Sequence, residues 1–161
     1  MKKGTALSMR GFTLVELLVT IGIIGILATV TVVSVGSARA KARDANRLTE
    51  IKAIQTALTL YQNEKAKFPD SGGATLILGK TQGSYGLLCD TDAGFQTDKT
   101  GCVTYFMTDV PGDPLSKAGS AYEYKYLSSD DKKDYTIIFK LESTTGSLKA
   151  GDHTATAAGI Q

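Results

Sequence analysis

The chain has 161 residues, 42% of them hydrophobic and 21% charged, with two cysteines, one histidine and a formal net charge of +2. This composition excludes a wholly disordered or collagen-like chain, and so small a charge gives no indication of direct nucleic-acid binding. The length fits one small domain with an appendage.

The appendage comes first. Lys2, Lys3 and Arg10 form a basic head with no acid beside it, and the nineteen residues from Leu17 to Val35 then carry no charge. As a helix rising ~1.5 Å per residue, that stretch is about 28 Å long, close to the ~30 Å of a hydrocarbon core. The basic head favours a cytoplasmic amino terminus, although Arg39, Lys41 and Arg43 follow the span. Three readings compete. A secretory signal peptide has a small-x-small site at Ala38-Arg39-Ala40 and a mature end at Lys41, but its apolar core would far exceed the usual ~7–15 residues. A plain signal anchor gives no reason for Glu16, an ionisable group that costs about 2.5–3.5 kcal/mol on insertion scales. A cleaved leader followed by an assembling helix does give one. A cut between Gly11 and Phe12 creates an ammonium four residues before Glu16. The two charges can pair within one chain, a helical turn apart, or between neighbouring helices packed with an axial offset. In the second case the carboxylate becomes a register device for assembly.

The stretch Arg10-Gly11-Phe12-Thr13-Leu14-Val15-Glu16-Leu17-Leu18-Val19 resembles the amino-terminal signature of type IV pilins and type II secretion pseudopilins. The resemblance implies cleavage after Gly11 by a membrane prepilin peptidase and methylation of the new Phe12 amine. It implies that Glu16 neutralises the Phe12 amine of a neighbouring subunit, in a homopolymer or a polymer with other pilins. An assembly ATPase and a platform protein are implied as indirect partners. Many type IV pilins carry a proline about two-thirds along this helix, whereas Val33 and its neighbours here include none. Gly22 and Gly25 remain as points of close helix packing or of local melting.

From Ser37 to Phe68 the chain is polar, without Pro or Gly, and Leu48, Ile51, Ile54, Leu58 and Tyr61 recur at helical spacing. One helix over about 13–66 follows, bare in its membrane half and amphipathic in its outer half, with Phe68-Pro69 as its terminator. Arg39, Lys41, Arg43 and Arg47 read as a basic collar. Its partners are solvent, lipid headgroups or acids of a neighbouring subunit.

Residues 70–120 are rich in Gly, Ser, Thr and Asp and predict a long excursion with one or two short elements, tied down by Cys89 and Cys102. In an exported domain these two cysteines close a disulfide loop of about fourteen residues, worth roughly 3 kcal/mol; in a reducing cytosol they are free thiols. A turn at VPGDPL, residues 110–115, leads into two strands of period two. Tyr122, Tyr124 and Tyr126 share one face of the first; Tyr135, Ile137, Phe139 and Leu141 share one face of the second. SSDDKK joins them as a hairpin, and the tail from Gly146 either adds an edge strand or is mobile.

Long helix, variable loop and antiparallel hairpin match the α+β layout of pilin-like proteins. The boundaries are a leader over 1–11, a transmembrane or filament-core helix over 12–38, the amphipathic half over 39–68, and an extracytoplasmic loop and sheet over 69–161. Major pseudopilins often hold calcium in a late acidic loop, for which Asp130, Asp131 and Asp134 are the candidates, against the plain reading of a soluble hairpin tip. The Gly- and Asp-rich ending of those proteins is missing here. No nucleophile elbow, phosphate loop or paired-histidine motif appears. His153, in a Gly/Thr/Ala-rich tail, reads as an exposed loop residue rather than a base. The expectation is therefore a non-enzymatic filament subunit held in the cytoplasmic membrane by a single pass, amino terminus in the cytoplasm, before assembly outside it. A monomeric, single-span anchored binding domain is the alternative.

Overall fold

A computed structural model describes residues 11–79, 84–117 and 120–161, and at Val33 the backbone alone. The leader before Gly11, with Lys2, Lys3 and Arg10, lies outside the described residues. Two compact units divide the chain, one ending at Ala38 and one running from Arg39 to Gln161.

Helix α1 spans Leu14–Lys65, 52 residues, and continues through Gly22, Gly25 and Gly36. Its end differs in mechanism from the one the sequence suggests. Ala66 turns to a φ of +56°, and its amide donates to the Gln62 carbonyl at 2.7 Å. This left-handed stop closes the helix before Phe68-Pro69 is reached. Phe68 is instead a core residue: it is buried, its ring lies 4.8 Å from that of Tyr135, and its amide donates to the Lys132 carbonyl.

In the Arg39–Gln161 unit, Ile51, Ile54, Leu58 and Tyr61 are wholly buried, so the predicted helical face is the core face, with Leu48 at its margin. It belongs to one core with the inner side of an antiparallel sheet ordered β1-β5-β6-β7-β8. The strands are β1 (Leu76–Leu78), β5 (Tyr124–Ser128), β6 (Tyr135–Leu141), β7 (Gly151–Thr156) and β8 (Gly159–Ile160). Burial alternates along β6, with Tyr135, Ile137, Phe139 and Leu141 inside, as period two requires. Tyr126 faces Ile137 across the β5–β6 pair. Tyr124 and Tyr126 point inward as expected, but Tyr122 precedes the strand and does not join their face. The tail is ordered into β7 and β8.

The excursion over 70–120 holds more structure than the sequence suggests. A second antiparallel sheet, ordered β3-β2-β4, is built from β2 (Leu87–Cys89), β3 (Phe95–Gln96) and β4 (Tyr105–Met107). Cys89 and Cys102 form a disulfide with their Cα atoms 5.7 Å apart, closing a loop that contains β3. Gly94 sits in that loop at φ +67°, where a Cβ would come 2.6 Å from the Pro69 ring. Only a residue without a side chain lets the loop lie against the helix end.

Aromatic rings fill the centre. Tyr126 lies edge-on to Phe95 at 4.8 Å and stacks on Tyr135 at 5.9 Å, and Tyr61 meets Phe106 edge-on at 5.3 Å. The buried phenols find acceptors: Tyr124 donates to Glu50 at 2.6 Å, Tyr126 to the Pro69 carbonyl at 2.8 Å, and Tyr61 to the Thr91 carbonyl at 2.8 Å. Among the described residues no buried side-chain nitrogen or oxygen lacks a partner, which is what burial of polar atoms demands. Burial raises the pKa of Tyr61 to about 12 and also lifts Tyr124, Tyr126 and Tyr135. Groups raised in the fold stabilise it fully below the ordinary phenol range and cease to do so as pH rises through the folded values. Absorbance titration of the seven tyrosines should therefore leave Tyr61, Tyr124 and Tyr126 protonated at pH 11, the last two ionising only when the fold is lost.

Candidate functional site

The first described residues of the unit ending at Ala38, Gly11 and Phe12, are both exposed, Phe12 to 83%. Thr13 is the N-cap of α1. Its amide and its hydroxyl both donate to Glu16 Oε2, at 2.9 and 2.8 Å, and the Glu16 amide donates back to Thr13 Oγ1 at 3.3 Å. This is a capping box, in which residues three apart satisfy one another's orphan polar groups at a helix start. Thr-Leu-Val-Glu before an apolar run is its sequence signal. The bonds hold the carboxylate at the very start of the helix, beside the Phe12–Thr13 peptide. They supply no countercharge.

Behind the cap, the large apolar side chains from Leu14 to Val32 are more than two-fifths exposed wherever they are described. The hydroxyls among them turn inward on their own backbone. Thr20, Thr29 and Thr31 donate to the carbonyls of Leu17, Ile26 and Leu27 at 2.8, 2.7 and 2.8 Å. No outside partner is needed for them in hydrocarbon. By length and composition this half of α1 can cross a membrane.

The Arg39–Gln161 unit contains a charged cluster that the sequence analysis assigned wrongly. Arg47 is not part of a collar; it is wholly buried. Its Nε and Nη2 donate to the two Asp113 oxygens at 2.6 and 3.0 Å, and Nη1 donates to Asp44 and Glu142, both at 2.6 Å. The Tyr122 ring lies 5.1 Å from its guanidinium carbon. Asp44 in turn accepts from the Glu142 and Ser143 amides at 2.9 and 2.8 Å and from the Ser143 hydroxyl at 2.6 Å. Arg43 engages Glu142 from the rim, its Nε donating at 2.7 Å. The collar thus loses Arg43 and Arg47 to Asp44 and to acids 66 to 99 residues away in the chain. Burial pulls the Arg47 pKa down, but its bonds to Asp113, Glu142 and Asp44 outweigh this and hold it above its ordinary value. Burial pushes Asp44 up, while the bonds from Ser143, Glu142 and Arg47 bring it below the usual carboxylate range. Glu142 is lowered chiefly by Arg43, with Arg47 helping against burial.

The remaining sequence candidates are dispersed. Asp131 accepts from the Ser129 hydroxyl and the Lys133 amide within the β5–β6 loop, and Asp134 accepts from the Tyr135 amide. Asp130 is exposed in the same loop. Among the described residues no group of three or more His, Cys, Asp or Glu side chains could hold a metal ion. His153 is not a loop residue. It lies in β7, with Nδ1 3.0 Å from the Gln161 carbonyl, Nε2 2.7 Å from the Lys149 carbonyl and its ring 5.7 Å from Phe139.

Known proteins resemble the chain at both levels. The model of the prokaryotic N-terminal methylation motif matches residues 8–32. Type IV major fimbrial protein FimA of Dichelobacter nodosus is 32% identical over 120 residues, which take in 67% of this chain and 73% of that protein. Type IV major pilin protein PilA of Myxococcus xanthus is 31% identical over 85 residues, 53% of this chain and 39% of that protein. Type II secretion system core protein G of Klebsiella michiganensis is 37% identical over 62 residues, 38% of this chain and 44% of that protein. The matched stretch therefore spans less than half the length of the last two relatives. No solved structure matches the chain. A helix that starts at a methylation motif, bare in one half and packed on antiparallel sheet in the other, defines a pilin-like α+β protein. The chain belongs to the type IV pilin family.

Two outcomes follow from the buried cluster. Arg47→Met should cost the full chain in detergent about 3–5 kcal/mol, because it leaves buried carboxylates uncompensated. Lys52→Gln, on the exposed side of α1, should stay within about 0.5 kcal/mol; urea unfolding followed by tyrosine fluorescence measures both. Since Asp44 and Glu142 are lowered in the fold, their stabilisation is complete above about pH 4.5 and lost as pH falls through the folded values. Asp44→Asn should accordingly flatten the acid side of the stability profile.

Proposed function

We propose that the chain is a structural subunit of an extracytoplasmic helical filament, without enzymatic activity, stored in the cytoplasmic membrane through the first half of α1. The observation that carries this reading is the unburied apolar half-helix that begins, at the matched methylation motif, with a carboxylate. Such a helix needs lipid or other helices around it, and the carboxylate needs a cation. Cleavage after Gly11 by a prepilin peptidase provides one, the Phe12 amine, which then becomes methylated. In the filament Glu16 meets the Phe12 amine of a neighbouring copy and selects the axial step. Helices exchange lipid for one another, so packing rather than transfer from water drives assembly. An assembly platform and an ATPase act on the stored subunit. The longer match, to a fimbrial protein over 73% of its length, favours a surface pilus over a secretion pseudopilus.

Amino-terminal mass spectrometry of protein from cells should find methylated Phe12 first. Glu16→Ala should insert normally and lower filament yield by tenfold or more, with long surface fibres carrying the chain in electron micrographs of the unaltered strain. A mature end at Lys41, or full filament yield from Glu16→Ala, would overturn the reading. Normal anchoring of a chain that never cross-links to its own copies would leave a monomeric anchored domain in its place.

A further inference from the structure

Four bases follow the apolar stretch: Arg39, Lys41, Arg43 and Arg47. The structure separates them into two pairs. Arg43 and Arg47 are bound to Asp44, Asp113 and Glu142, a group in which the acids outnumber the bases by one. It has no cation to offer. Arg39 and Lys41 are exposed and form no ion pair or hydrogen bond among the described residues. Arg39 follows Val35, the last residue of the uncharged stretch, by four positions along α1, and Lys41 by six. At ~1.5 Å per residue these positions fall about 6 and 9 Å past the hydrocarbon-length segment. A bilayer's polar layer occupies about that depth, since its full thickness exceeds that of its core by ~10–15 Å over both faces. The two side chains lie on different sides of the helix, as two positions apart dictates. Lipid surrounds a helix on every side, whereas a single neighbouring protein surface meets one side only.

We infer that Arg39 and Lys41 bind the phosphates of anionic phospholipids in the outer leaflet of the cytoplasmic membrane while the subunit is stored there. The inference rests on the membrane storage of the proposed function. It makes the pair a depth gauge: phosphate contacts set how far the apolar half of α1 enters the bilayer, and they are lost when the subunit leaves for a filament.

The test is the full chain reconstituted in vesicles of phosphatidylcholine with spin-labelled phosphatidylglycerol or phosphatidylcholine as probe. The unaltered chain should associate preferentially with the phosphatidylglycerol probe, and R39Q/K41Q should weaken that preference by about fivefold per residue, the equivalent of about 1 kcal/mol each. Raising the salt should erase the difference. A second variant, K2Q/K3Q/R10Q, reports the contribution of the basic head separately. Unchanged preference in R39Q/K41Q, or a preference lost only in the head variant, overturns the inference. Loss of filaments in R39Q/K41Q with the lipid preference intact assigns the pair to acids of a neighbouring copy and overturns it equally. Release of the unaltered chain from the vesicles by alkaline carbonate sinks the storage reading itself, which separates that failure from failure of the lipid contacts.

Discussion

A guanidinium cut off from water is the constraint on which the folded head depends. Arg47 is an always-charged group, and burying it is tolerable only where carboxylates meet it with good geometry. Three segments supply them: α1 itself through Asp44, the proline-flanked turn through Asp113, and the end of β6 through Glu142. Asp113 grips the guanidinium with both oxygens, and Asp44 is also held by the amides at Glu142 and Ser143. The turn, the strand end and the helix can satisfy these bonds in one register. A slip of α1 by one turn, about 5.4 Å, would bring Ile51 to the carboxylates or Arg47 into the apolar layer. Residues that the sequence shows as unrelated charges thus specify how sheet and helix meet. Gly79 supports the same turn, since a Cβ there would come 2.7 Å from Gly112.

The two halves of α1 solve the same local problem and differ in what surrounds them. Threonines in both bond back to carbonyls in the preceding turn: Thr20, Thr29 and Thr31 in the apolar half, Thr49, Thr56 and Thr59 in the other. Backbone and hydroxyl satisfaction is therefore internal throughout the helix. The outer half then buries one face against sheet, as an amphipathic helix does in water. The first half buries none. With no polar face to offer water and no burial among the described residues, its stability as a helix depends on surroundings that other molecules provide.

Periodicity explains how much of this could be read from sequence. The core face of α1 and the inward side of β6 are repeated patterns of local spacing, and they came through intact. The filament signature lies in ten contiguous residues and was equally legible. What stayed hidden depends on contacts distant in the chain. Arg43 and Arg47 look like a solvated collar because, Asp44 apart, their acids stand 66 to 99 residues away. β2, β3 and β4 have two or three residues each, too few for alternation to register. Tyr122 shares a period with Tyr124 and Tyr126, but the strand starts after it, and its ring serves Arg47 instead. Thr13 was missed for a different reason: its local capping signal was overlooked beside the more conspicuous charge of Glu16.

Glu16 and Arg47 differ in what their own chain supplies to them. Arg47 has countercharges within its own chain and asks nothing of a neighbour. Glu16 has hydrogen bonds from Thr13 but no cation among the described residues. Neutral donors stabilise a carboxylate without cancelling its charge, and in hydrocarbon an uncancelled charge interacts strongly over several ångströms. A capped carboxylate is thus held in one place while its demand for a cation persists. In the proposed filament that combination suits an interface: the capping box fixes where the negative charge stands, and the Phe12 ammonium of a neighbouring copy neutralises it there. In that proposed filament the step between copies is set at Glu16, apart from the clamp around Arg47.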